Sequence, residues 1–176
     1  MPRKRAGSKY CQGAVAAHVA GRTALHQAVA VAALVLGTSI YLIDRAPGHA
    51  MLIPHLGSAG ATPMFGAMGA WLPSFLHPLA FALLTAAVLP AASPWRYGGC
   101  ALWGAINVLF EMGQHAALKG AWLVAVDIGA MPSALARYFI RGTFDTADLA
   151  AAAAGALAAA ALLRGLDRLK ENDHAK

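Results

Sequence analysis

The chain has 176 residues, of which 59% are hydrophobic and only 12% charged, with a mean hydropathy of +0.54. A soluble domain carries about 25% charged residues, so the composition points to an integral membrane protein. The net charge of +6 does not imply nucleic acid: the basic residues gather at the two ends and in short loops beside apolar runs, with no aromatic-basic interleaving and no nucleic-acid motif.

Residues 1–23 hold Arg3, Lys4, Arg5, Lys9 and Arg22 and read as a basic cytoplasmic tail. Span one covers about 24–43, with His26 at its inner rim, and reaches the roughly 20 residues that a bilayer requires. Residues 44–74 read as a loop punctuated by Pro47, Pro54, Pro63 and Pro73. Its 57–71 piece is too short and broken to span, and reads as a re-entrant or interfacial segment. Span two covers about 75–92 and opens with His77-Pro78, since proline is tolerated in a first turn. Trp95-Arg96-Tyr97 reads as a tight turn, and span three runs from 98 to about 118. In the second loop, 119–144, residues 132–140 have the pattern of a short amphipathic helix lying on the membrane. Span four covers about 145–163. Asp145 and Asp148 resemble a capped start, and Gly155 allows close approach of a neighbouring backbone. Residues 166–176 form a polar tail. The expected fold is all-α: a bundle of about four transmembrane helices within a membrane domain at 24–165.

Four spans place both termini on one side. That side carries ten Lys and Arg; the other carries four, Arg45, Lys119, Arg137 and Arg141. The charge bias puts both termini in the cytoplasm, with the bundle in a bacterial cytoplasmic membrane. His77 then starts span two on the outer face. Glu111, Gln114 and His115 end span three there, and Arg141, Asp145 and Asp148 open span four.

Glu111, Gln114 and His115 share a helix face, with Asn107 one turn before them. A carboxylate at a membrane rim is costly, which marks it as functional or paired. Glu111 is either a general acid/base or headgroup-binding group, or the ion-pair partner of Arg141 or Arg137. Asp145 and Asp148 either cap a helix or flank a substrate as paired carboxylates. Arg141 either binds a phosphate or carboxylate or anchors the outer rim. His77 and His115 read as interfacial. With His49 and His55 they match no metal-ligand spacing, so neither metal nor cofactor is expected. Cys11 and Cys100 fall on the reducing side, where no disulfide is expected.

These residues carry a family resemblance. Glu111-x-x-Gln114, then Arg141-Gly-Thr-Phe-Asp145-Thr-Ala-Asp148 and a small-residue helix with Gly155-Ala156, resemble the VanZ-like membrane protein family. In that family an ExxQ element precedes an arginine and an aspartate that opens the last helix as D-x-x-x-N-x-x-G. His77 with Phe81 resembles the family's histidine and aromatic residue at the start of an earlier span. The likeness covers roughly 70–165. Pro73-Ser74 stand where the family has Asp-Lys, and Ala152 where it has asparagine. The family is named for a glycopeptide-resistance cluster and is associated with teicoplanin resistance. The resemblance implies an envelope-associated membrane protein.

The combined expectation is a site at the outer face, with Glu111 and Asp148 as catalytic residues. His77, Gln114, His115, Arg141 and Asp145 are the expected ligand-binding residues. The expected partners are membrane lipids and an amphipathic or lipid-linked ligand. The alternative is a non-catalytic subunit or scaffold docked to another membrane protein, its polar cluster purely structural.

Overall fold

The structure, a computed structural model, describes the backbone of residues 7–44, 64–91 and 93–174, and side chains from 24 to 168 within those segments. Among the described residues every regular element is helical. They are α1 (Gly7–Asp44), α2 (Gly66–Val88), α3 (Trp95–Gly113), a 3₁₀ turn (Ala116–Leu118), α4 (Lys119–Asp127), α5 (Ser133–Arg141) and α6 (Thr146–His174).

α2 is the hub. It packs against α1, α3 and α6, and α3 also packs against α6. The core is built of small and branched apolar residues: Ala30 and Ile40 from α1, Ala80 and Leu83 from α2, Ala159 and Leu163 from α6. Small residues let the backbones approach closely. The Phe75 carbonyl of α2 lies over Gly155, where any Cβ would collide with it, and Ala156 sits against Gly104 of α3.

Three helices are long and apolar enough to cross a membrane: Ala24–Asp44 within α1, Gly66–Val88, and Thr146–Arg168 within α6. α3 is not among them. It has 19 residues, and Arg96, Asn107 and Glu111 lower its hydropathy. It runs antiparallel to α6, joined near one end through Glu111 and Asp145 and near the other through Arg96 and Asp167.

Several boundaries differ from the sequence expectation. α1 begins at Gly7, so much of the expected basic tail continues the helix of span one. α2 begins at Gly66, well before residue 75, and both Pro73 and Pro78 are buried inside it. The Asp44 carboxylate makes this start possible: it accepts the backbone N–H groups of Met64 and Phe65 just ahead of the helix. Each proline removes one helical hydrogen bond, a loss the surrounding helices must offset. Residues 66–71 therefore belong to α2, while 57–63, with His49 and His55, lie outside the described residues.

Trp95-Arg96-Tyr97 is the first turn of α3, not a loop. The reversal lies at Pro90–Pro94, where Ser93 Oγ accepts the N–H of Trp95. The 119–144 segment holds two helices. α4 ends at Asp127 with Ile128 as its cap, and Gly129 just beyond has a φ of 70° that suits glycine, with Gly129 N–H on Val126 C=O and Ala130 N–H on Ala125 C=O. α5 matches the expected 132–140 helix, but its apolar face is turned inward: Ala136 and Phe139 are buried, and the Phe139 ring stacks on Trp122. Exposed large apolar residues of this segment include Leu123 and Val124 on α4 and Ile128 just after it.

Candidate functional site

The polar end of the bundle is assembled from the end of α3, the α5–α6 link and the start of α6. Glu111 sits in the last turn of α3 and is 8% exposed. Its Oε1 accepts the Asp145 backbone N–H at 2.6 Å, and its Oε2 accepts Gln114 Nε2 at 3.3 Å. One carboxylate thus ties the C-terminus of α3 to the N-terminus of α6.

Gln114, also 8% exposed, is the C-cap of α3. Its amide donates to Tyr138 OH at 3.3 Å and lies directly over Gly142. Two glycines make this docking possible. A Cβ on Gly142 would strike the Gln114 amide, and one on Gly113 would meet the Phe139 ring at 2.7 Å. Trp122 Nε1 donates to the Gly113 carbonyl at 2.7 Å, and Lys119 Nζ to the Gly142 carbonyl at 3.3 Å. Carbonyls left over at the end of α3 and beyond α5 thereby gain partners.

Asp145 is exposed and caps α6, its Oδ1 accepting the N–H of Ala147 at 2.8 Å. This is the N-cap pattern. Asp148 is 7% exposed and accepts the Ser74 hydroxyl of α2 at 2.9 Å. The two aspartates therefore face different partners.

Arg141 ends α5, where its charge suits the helix dipole; it is exposed and makes no ion pair with Glu111. Arg137 donates to Ser133 Oγ at 3.2 Å. Glu111 is held by a backbone N–H and an amide, which the expected arginine pairing missed. His115 is exposed: its Nδ1 accepts the Ala117 N–H, and its ring meets Phe144 at 5.2 Å. His77 is not part of the cluster. It lies one turn along α2 from Ser74, with Nε2 beside Gly37 of α1 and its ring near Phe81, which stacks on Trp103.

Glu111, Gln114, Asp145 and Asp148 are thus drawn to one end. Arg141 and His115 stand exposed at its rim, and His77 is turned away toward α1. Ser74 and Tyr138 are partners that sequence reasoning passed over, whereas Gly142, which follows Arg141, lies against Gln114 as its place in the sequence suggested. Among the described residues no three His, Cys, Asp or Glu side chains gather as a metal site. No family model, curated protein or solved structure matches the chain.

Proposed function

We propose that this chain is a four-span protein of the bacterial envelope, with α3 as the fourth span and both termini cytoplasmic. It would bind an amphipathic ligand with an anionic head at the outer end of the bundle. One observation carries the reading. Buried polar groups draw three chain segments to one end, and Arg141 stands there exposed, with no acidic side chain among the described residues bonded to it. In this arrangement Arg141 grips the anionic head, with His115 and Asp145 beside it. Glu111, Gln114 and Asp148 hold the rim in shape and are positioning residues. The residues that meet, Glu111, Gln114, Asp145 and Asp148, are among those on which the VanZ-like resemblance rests, which supports membership of that family and its link to glycopeptide resistance, although His77 lies apart.

Mild purification followed by mass spectrometry of bound lipids tests this. A stoichiometric amphipathic molecule that is lost from Arg141→Ala but kept by Arg137→Ala supports the reading. No bound amphiphile in the wild type counts against it.

A second reading has its own observation: both Glu111 oxygens are taken by internal bonds, as befits a structural clasp. In that case the protein is a membrane scaffold, and the same purification yields a stable partner chain in place of a lipid.

A further inference from the structure

α4 is apolar on every side and yet uncovered. Between Lys119 and Asp127 it reads Gly-Ala-Trp-Leu-Val-Ala-Val. A helix of that kind belongs in a protein interior or in lipid. None of its residues is buried among the described residues.

One side of α4 is docked. Trp122 donates to the Gly113 carbonyl at the end of α3 and stacks on Phe139 of α5. Ala125 and Val126 share that side by helical spacing and are half-buried. The other side is bare. Val124 and Ile128, four apart, are 58% and 72% exposed, and Leu123 beside them is 56% exposed. Asp127, in the last turn, is the one charge on this side.

Three observations say what covers the bare side. The first is continuity. On the flank of α3 opposite buried Glu111, Leu102, Leu109 and Met112 form a stripe at least half exposed. The stripe reaches the last turn of α3, and α4 begins six residues after Gly113. Its bare side therefore prolongs a surface that faces lipid if the helices span a membrane. The second is length. Nine residues make about 14 Å of helix, less than half of the roughly 30 Å hydrocarbon core. Such a helix can lie along the boundary and cannot cross it. The third is charge. Between 119 and 141 the only acid is Asp127, against Lys119, Arg137 and Arg141. That balance suits a surface of anionic headgroups.

We propose that α4 is an interfacial helix. Leu123, Val124 and Ile128 sit in the acyl boundary of the lipid leaflet at the Glu111 end of the bundle. The inference rests on the reading of the chain as a membrane protein. It moves the lipid-facing segment of the 119–144 region from α5 to α4. Seated in this way, the α4–α5 hairpin holds Arg141 at headgroup level.

The test places a nitroxide at Val124→Cys, at Ile128→Cys and, as a control, at Leu157→Cys near the middle of α6, 71% exposed. The full chain, with Cys11→Ser, is studied in vesicles of phosphatidylcholine and phosphatidylglycerol. Cys100 is buried, and the parent without an added cysteine reads any label that it takes. Collision with oxygen, which concentrates in lipid, is compared with collision with a nickel chelate, which stays in water. Oxygen should dominate at Val124 and Ile128, at a depth of about 5–10 Å, with Leu157 deeper. Chelate dominance at both α4 positions, beside oxygen dominance at Leu157, overturns the lipid seat and leaves the membrane reading standing. Chelate dominance at Leu157 as well removes both. Exclusion of both reagents from the α4 positions means that protein covers this side, another segment or a second copy, and likewise overturns the lipid seat.

Discussion

The Glu111 carboxylate accepts the backbone N–H of Asp145, 34 residues further on, at 2.6 Å. Asp145 is in turn the residue whose side chain caps α6. A helix end and a helix start are thus fastened by a charged acceptor on a main-chain donor, a bond that resists replacement by neutral groups.

Glu111→Gln keeps an oxygen for Asp145 but turns an amide nitrogen toward the Gln114 amide, donor against donor. The expected cost is about 1–3 kcal/mol, with expression and membrane insertion retained. Thermal unfolding in detergent, beside a membrane-fraction assay, measures both. An unchanged midpoint means that the clasp carries no stability.

Gly142→Ala drives a methyl into the Gln114 amide. It should destabilise by about 1–3 kcal/mol, the usual range for overpacking. The same change in a Gln114→Ala background should cost much less, since the obstacle is gone. A double-mutant cycle reads the coupling directly, and additive effects would place Gln114 away from Gly142.

Gly155 and Gly165 make a contrasting pair on one helix. The atom that a Cβ on Gly155 meets is the backbone carbonyl of Phe75, which has no rotamer to escape into; a Cβ on Gly165 meets nothing from another element within 4 Å among the described residues. Gly155→Ala should therefore separate α2 from α6 and lower stability by about 1–3 kcal/mol. Gly165→Ala should be neutral or stabilising by up to about 1 kcal/mol, from helix propensity. Equal effects at the two positions would contradict the α2–α6 contact.

The topology is open to a reporter test. A fusion active only outside the cytoplasm should stay silent after Lys176 and report when inserted within residues 120–130. The opposite pattern would invert the bundle and move the Arg141 rim to the cytoplasmic face.

The gathering of Glu111, Gln114, Asp145 and Asp148 at one end was legible in the sequence only as something that helical spacing and helix order permit. The start of α2 was not. Pro73 reads as a breaker, and nothing local reveals that Asp44, 20 residues before Met64, supplies the missing acceptor. The inward face of α5 was likewise hidden, since an amphipathic pattern does not distinguish a lipid surface from a partner such as Gly113. Glu111 was weighed as the partner of Arg141 or Arg137, but it accepts instead the main-chain N–H of Asp145, four residues beyond Arg141. The Arg96–Asp167 pair escaped notice because its members are 71 residues apart and each, alone, looks like a rim charge.

The chain is synthesised from its N-terminus, so α6 arrives last. Asp145, Asp148 and Asp167 all come with it, and they are the partners of Glu111, Ser74 and Arg96. Until α6 is made, Glu111 lacks the Asp145 N–H and Arg96 lacks the Asp167 carboxylate, one near each end of α3. The last of these helices therefore acts as the bolt of assembly.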